Sequence, residues 1–239
     1  MIFMGAHRNI PRYFKALKTE ASSQELRKVL LPFLVGIFLY SILGGLLFFT
    51  LGKAEAHLWF NSFHHSWADV FFRYFTETAN GIIPLVVVHL LLFVRYSWAL
   101  GFGLSTLIMG VLVQWLKRGV FDLPRPAGFF EQGILRTIEG VEYAQRFSFP
   151  SGHSATAFCM FLFFALLVRK SWATWIFVSW ALLAAYSRVY ISMHFIEDTI
   201  VGAWIGMITA FLGYHFVVRW ADSHPTSKLN GKLWPTSKK

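Results

Sequence analysis

Three short stretches of the chain carry residue types that could together transfer a phosphoryl group without a metal. They are Lys117-Arg118 with Arg125-Pro126, then Pro150-Ser151-Gly152-His153, then Ser187-Arg188 followed by His194 and Asp198. A phosphoryl group in transfer spreads negative charge over its equatorial oxygens, so its catalysis rests on positioned cations and hydrogen-bond donors with nucleophile and leaving group in line. Arg125 and Arg188 offer planar, permanently charged forks for those oxygens. Pro150-Ser151-Gly152 is a tight turn ahead of an apolar run, which would aim backbone N–H groups and the Ser151 hydroxyl at an anion on a helix N-terminus. His194 and Asp198 are four apart, within hydrogen-bonding reach on one helical turn. An Asp on one ring nitrogen fixes the tautomer and leaves the other to attack phosphorus, with His153 available as the acid for the leaving oxygen.

The elements that must hold these residues are membrane helices. The chain has 239 residues, 56% of them hydrophobic and only 14% charged, which excludes an ordinary soluble domain. Six apolar runs, 29–51, 78–94, 96–116, 153–168, 171–187 and 199–218, are candidate spans, several of them short enough to require tilt or buried ends. The expected fold is therefore all-α and polytopic, divided into a basic N-terminal segment (1–28), a six-span membrane domain (29–218) and a basic C-terminal tail (219–239). Arg8, Arg12, Lys15, Lys18, Arg27 and Lys28 crowd the first tail, and Arg219, Lys228, Lys232, Lys238 and Lys239 the last; Arg95 and Arg169-Lys170 occupy two short turns. The positive-inside rule makes all four cytoplasmic, which sends every candidate site residue to the opposite side. Topology thus accounts for much of the +10 net charge, and no nucleic-acid partner is expected; anionic lipid headgroups are. The first apolar run is too long for a signal peptide and is read as retained.

Residues 52–77, rich in aromatics, fit an amphipathic helix lying in the outer interface. A metal site at His57, His64 and His65 is the competing reading; adjacent histidines point apart on a helix, and no metal is expected. The connection 119–149 joins the first stretch to the second and is expected to form a rim or lid, with Arg136, Glu139, Glu142 and Arg146 nearest a lipid headgroup. His89, Arg73, His215 and Arg219 read as interfacial residues near span ends. Glu197 receives no chemistry, Gly202 and Gly206 read as allowing close helix packing, and the single cysteine, Cys159, as a small buried hydrophobe.

On these residues the chain resembles the type 2 phosphatidic acid phosphatase (PAP2) family over 61–218. Ser187-Arg188, five residues, His194, three residues, Asp198 reproduces that family's third signature, and Pro150-Ser151-Gly152-His153 its second. The first signature, usually a lysine, six residues, then Arg-Pro, departs: counting back from Arg125 reaches Arg118, while Lys117 has seven intervening residues. Either could fill the position, but neighbours on a helix point about 100° apart, so the two are not expected to face the site equally; Lys117 is favoured, because its flexible ammonium can absorb a one-residue offset and the following loop can bulge. The resemblance implies a PAP2-type helical core without cofactor, in which His194 forms a phosphohistidine, Asp198 orients it, and His153 protonates the leaving group and then activates water. It implies that Lys117 or Arg118, Arg125, Ser151, Gly152 and Arg188 hold the phosphoryl oxygens. The function implied is a metal-independent lipid phosphate or pyrophosphate phosphatase of the bacterial inner membrane, its site periplasmic. Candidate substrates are undecaprenyl pyrophosphate, phosphatidylglycerol phosphate, phosphatidic acid and lipid A phosphates. The same phosphohistidine could instead serve a lipid phosphotransferase. A non-catalytic phospholipid-binding protein would require a broken nucleophile or acid, and neither is broken.

Overall fold

The computed structural model describes residues 10–234, and these form helices joined by turns. Arg8, Arg12, Lys15, Lys18, Lys238 and Lys239, counted above toward the basic tails, lie outside the described residues and side chains. Nine α-helices follow in order among the described residues: α1 (Ile10–Asn61), α2 (Ser66–Phe75), α3 (Ile82–Leu92), α4 (Tyr96–Trp115), α5 (Pro126–Phe129), α6 (Gly152–Val168), α7 (Ser171–Tyr190), α8 (Ile196–Gly213) and α9 (Arg219–Ser223). Three stretches, Ser23–Asn61, Tyr96–Phe129 and Ile196–Ser223, are long and apolar enough to cross a membrane. A fourth results if Ser66–Ala79 and Ile82–Leu92, bent by 49°, count as one. The molecule is an integral membrane protein.

The core is built around α6. Nearly every side chain from Ser154 to Leu166 is buried, including Phe158, Leu162 and Phe163, and Phe33 of α1 meets Phe158 edge-on at 6.4 Å. A helix apolar all round belongs in the interior, which is why α6, at 17 residues, is short for a span. Leu43, Leu46, Leu85, Leu107 and Val111 instead point outward from α1, α3 and α4. Apolar residues exposed in this density are what a lipid-facing surface requires.

Small residues set the approach of α8 to α6. A Cβ on Gly202 would stand 2.3 Å from the Ser151 carbonyl oxygen, and one on Gly206 would stand 2.1 Å from that of Ala155. The two glycines, one helical turn apart, therefore let α8 lie against the backbone of α6.

Charged side chains gather at the end of the bundle opposite the candidate site. Arg95, in the α3–α4 turn, donates to Asp222 Oδ1 at 2.7 Å and also meets Asn230. Arg169, in the α6–α7 turn, reaches Glu25 at 3.4 Å and Asp222 at 3.9 Å and bonds the Tyr214 hydroxyl. Both short turns, α1 near residue 25 and the chain after α8 thus share one end.

The region between the first two runs differs from the single interfacial helix expected. Gly52, at φ 79°, kinks α1, which then continues to Asn61; α2 begins only after the Ser62–His65 turn. The kink is open to glycine because positive φ costs it nothing. α2 buries Ala68 and Phe72 against Tyr186, Tyr190 and Ile138 and exposes Trp67, Val70 and Tyr74.

Candidate active site

The last turn of α7 and the first of α8 create the turn that carries His194. Arg188 lies in the last turn of α7, and its carbonyl accepts from both Met193 N–H (3.0 Å) and His194 N–H (3.1 Å), so the chain doubles back and sets His194 beside Arg188. Ser192 sits at φ 53° within this reversal. Its hydroxyl accepts from Asn61 Nδ2 at 3.0 Å and lies 3.2 Å from His57 Nε2, so the outer segment of α1 anchors the turn. His194 is therefore in the turn before α8 and Asp198 in the helix's first turn, rather than both on one helical face.

Asp198 gathers its partners on one oxygen. Oδ2 accepts from Ser148 Oγ at 2.5 Å and from Phe195 N–H at 3.0 Å, and stands 3.3 Å from His194 Nδ1. Ser148 Oγ is also 3.5 Å from that ring nitrogen. An Asp against Nδ1 holds the proton there and leaves Nε2 with its lone pair. Burial first, then Lys117, Arg125 and Arg188, and His153 after them, push the His194 pKa well below its ordinary 6.5. Both causes disfavour the imidazolium, so the ring is neutral at pH 7.

Ser151 and His153 come from the start of α6. Ser151 caps the helix: its Oγ accepts from Ser154 N–H at 3.4 Å and from Ser154 Oγ at 3.0 Å. Its own N–H donates to the Asp198 carbonyl at 2.8 Å. Of the turn's backbone donors and the Ser151 hydroxyl expected to face an anion, the Ser151 N–H is thus already taken, and the fully buried residue ties α6 to α8. Gly152 and His153, the first two helical residues, keep N–H groups that the helix itself cannot satisfy.

The cations divide. Arg188 is buried, donates from Nη1 to Thr76 Oγ1 at 2.8 Å, and holds a buried Nε that has no protein acceptor among the described residues. Arg125 is half-buried at the N-cap of α5, fixed by its N–H to the Gln145 carbonyl at 2.9 Å and by Nε to the Arg146 carbonyl at 3.1 Å. Lys117 is buried, with Arg125, Asp198 and Arg188 as its electrostatic neighbours. Arg118 is exposed and its guanidinium lies over the Phe147 ring at 5.5 Å. Of the two candidates Lys117 joins the cluster, and Arg118, also expected as a phosphate ligand, does not. The reason is a π-helical turn, Leu116–Phe121, closed by Asp122 N–H on the Lys117 carbonyl at 3.1 Å. Such a turn holds one residue more than an α-turn, and the spacing from Lys117 to Arg125 is one residue longer than the usual pattern.

A cavity of about 340 Å³ opens beside the cluster, with His153 and Arg188 in its wall together with Arg73, Tyr74, Glu77, Asn80 and Glu142. The connection 119–149 does form a rim here, although its charges are divided. Glu142 faces the cavity; Arg146 pairs with Asp122; Arg136 reaches Asp69 at 3.5 Å and the His64 carbonyl at 3.2 Å. Arg73, grouped above with the interfacial residues, is instead a cavity residue. Ser148 and Thr76, which hold Asp198 and Arg188, were missed by the sequence reading. Ser148 carries only the faint signal of a serine beside the Pro-Ser-Gly turn, and Thr76 carries none. Glu197 pairs with Lys53 at 2.9 Å. His64 is bound to Asp69 at 2.9 Å and His57 to Ser192, and among the described residues no three His, Cys, Asp or Glu side chains gather as a metal site.

The chain is similar to several known proteins. The Lipid A 4'-phosphatase of Bacteroides thetaiotaomicron is 25% identical over 166 residues, which cover 66% of this chain and 73% of that one. The protein of the same name from Porphyromonas gingivalis is 32% identical over 114 residues, 43% of this chain and only 48% of its own length. Relatives named for undecaprenyl diphosphate and for phosphatidylglycerophosphate also match. The crystal structure of Aquifex aeolicus LpxE superposes with a TM-score of 0.59 at 29% identity, covering 68% of this chain and 94% of that one. Residues 98–222, just over half the length and including His153, His194, Asp198 and the clustered cations, match the PAP2 superfamily; the chain belongs to that superfamily.

Proposed function

We propose that the chain is a lipid phosphatase that hydrolyses a lipid phosphate or pyrophosphate through a phosphohistidine on His194, without a metal. The observation that carries this reading is a neutral, buried His194 whose Nδ1 faces Asp198 and whose electrostatic neighbours are Lys117, Arg125 and Arg188. Nε2 attacks phosphorus, the P–O bond to the leaving group breaks, and its electron pair takes the proton of His153. In the second step His153 removes a proton from water, the oxygen attacks phosphorus, and the P–N bond breaks to return His194 and release phosphate. The incoming phosphoryl dianion supplies the negative charge beside which His153 holds its proton. Lys117, Arg125, Arg188 and the N–H groups of Gly152 and His153 receive the equatorial oxygens; Ser151 positions them.

The membrane placement in this reading has six crossings. To the three long spans it adds the bent pair α2–α3, the central α6, and α7. Both tails and the Arg95 and Arg169-Lys170 turns then face the cytoplasm, and the site faces the periplasmic side of the inner membrane. Arg95, Arg169, Glu25 and Asp222 meeting at one end supports that sidedness. The substrate is drawn from undecaprenyl pyrophosphate, phosphatidylglycerol phosphate, phosphatidic acid and lipid A phosphates.

The test is phosphate release by detergent-purified protein over these lipids in EDTA, comparing wild type with His194→Ala. Release that resists EDTA and vanishes in the variant, with an acid-labile phosphoenzyme trapped in the wild type, is the expected result. Release that survives His194→Ala would overturn the mechanism, and a labelled lipid product in place of free phosphate would make the protein a transferase.

A further inference from the structure

Apart from His153 and Arg188, the cavity beside His153 is built from residues that phosphoryl transfer does not use. His153 belongs both to the cation cluster, by its electrostatic neighbours Arg188, Lys117 and Arg125, and to the cavity wall. His194, Asp198, Lys117 and Arg125 do not line it. If His153 gives its proton to the leaving oxygen, whatever that oxygen is attached to lies on the cavity side of His153. The cavity is then where the leaving group sits, a conclusion that rests on the function proposed above.

Its wall has a specific chemistry. Arg73, from α2, donates Nη1 to the Glu139 carbonyl at 2.8 Å and makes no ion pair among the described residues. Gly140, at φ 74°, closes on that guanidinium so tightly that a Cβ would stand 2.4 Å from Nη2. The rim turn is therefore shaped to the arginine head. Glu77 accepts from Asn80 Nδ2 at 2.7 Å, which holds its carboxylate in place, and Glu142 faces the cavity from the rim. Tyr74 adds an aromatic face. Forked donors and acceptors beside an aromatic ring suit a neutral ring bearing several hydroxyls, each of which both donates and accepts. Glu77 and Glu142 offset the charge of Arg73 and Arg188 in the same wall, so the space carries no surplus of cations for a second phosphate and suits a neutral group. At about 340 Å³ the space is at the small end of ligand sites, enough for one ring and not for a long headgroup.

We propose that this cavity is a leaving-group subsite for a sugar ring attached directly to the scissile phosphate, with Arg73, Glu77 and Glu142 as its specificity-determining residues. Among the candidate lipids this selects phosphorylated glycolipids. It disfavours a polyprenyl diphosphate, whose leaving group is itself a phosphate, and glycerol-based lipids, which carry no ring to fill the space.

The experiment measures kcat/KM of the full-length detergent-purified protein on lipid A, phosphatidic acid and undecaprenyl pyrophosphate, for wild type, Arg73→Ala and Glu142→Gln. A hydrogen bond to a charged group supports about tenfold discrimination. The expected result is that Arg73→Ala lowers the ratio of lipid A to phosphatidic acid turnover by about that factor, mainly through KM. Glu142→Gln, an exposed isosteric change unable to unfold the helices, should raise undecaprenyl pyrophosphate turnover relative to lipid A. Ratios unmoved in both variants overturn the subsite, as does a wild type that hydrolyses phosphatidic acid or undecaprenyl pyrophosphate but not lipid A. No release from any lipid would instead remove the phosphatase reading itself.

Discussion

Replacing Gly202 with alanine tests whether catalysis depends on how closely α8 approaches α6. The added methyl would stand 2.3 Å from the Ser151 carbonyl oxygen, 3.2 Å from its carbon and 3.3 Å from its nitrogen. Ordinary contact begins near 3.4 Å, so the two backbones must part by about 1 Å, and neither is a flexible side-chain end that could swing away. The strain acts on the residue whose N–H bonds the Asp198 carbonyl at 2.8 Å, and it moves His153 relative to His194 and Asp198. Overpacking of this kind costs about 1–3 kcal/mol of stability, and a misplacement of about 1 Å between catalytic groups costs about 100-fold in rate. We therefore expect Gly202→Ala to remain folded in detergent with a lowered Tm and to lose about 100-fold in kcat. Gly110→Ala, with nothing within 4 Å of the new methyl, serves as the control: kcat should be unchanged and Tm should not fall, alanine being the better helix former. The assay is phosphate release with thermal unfolding of the same preparations. If Gly202→Ala keeps wild-type kcat, the close approach of the helices does not set the site geometry and the reasoning fails.

Lys117→Met should lower kcat/KM by tenfold or more, as loss of a charge-assisted phosphate contact does, whereas Arg118→Met should stay within about twofold; equal losses would mean the π-helical turn does not select between them. Ser148→Ala deletes the 2.5 Å donor to Asp198, and since bonds to charged groups contribute about 1.5–3 kcal/mol, kcat should fall by roughly tenfold or more with little change in KM. An unchanged kcat would show Ser148 to be a bystander. The pH profile follows from His194: its pKa is depressed below 6.5, so the protonation that silences the nucleophile occurs only on the acid side of that value. The acid limb of kcat/KM should therefore lie below pH 6.5; an acid limb centred at or above 6.5 would contradict a neutral, buried nucleophile.

The cluster itself was legible because its chemistry is written locally: a Pro-Ser-Gly-His turn, a His four before an Asp, and arginines at fixed intervals. The choice between Lys117 and Arg118 was legible only as a preference for Lys117, because a wide helical turn has no residue signature, and the fold shows which of two neighbouring cations points inward. Ser148 and Thr76 escaped for a different reason. Each acts by reaching a partner far along the chain, Thr76 to Arg188 and Ser148 to Asp198, and a lone hydroxyl carries no periodicity to mark it. Residues 52–77 were misread as one element since their aromatic spacing persists through the Gly52 kink and the Ser62–His65 turn, which interrupt the backbone without interrupting the composition. Arg73 was taken for a snorkelling residue on its place near a helix end, which is the usual fate of such residues; the fold of the 139–140 turn around it could not be read from sequence.

The wide turn at Leu116–Phe121 makes the site tolerant of insertion. One extra residue in a continuous α-helix rotates everything beyond it by about 100°, which would carry Lys117 and Arg125 to different faces. Here the surplus is absorbed within a single turn, and Lys117 and Arg125 remain electrostatic neighbours. Chain length between them is thus decoupled from geometry at the scale of one residue. Removing one residue from Gly119–Phe121 should let the turn relax to ordinary α-helix with the active cluster intact, so that two chains differing by an insertion can share one catalytic geometry.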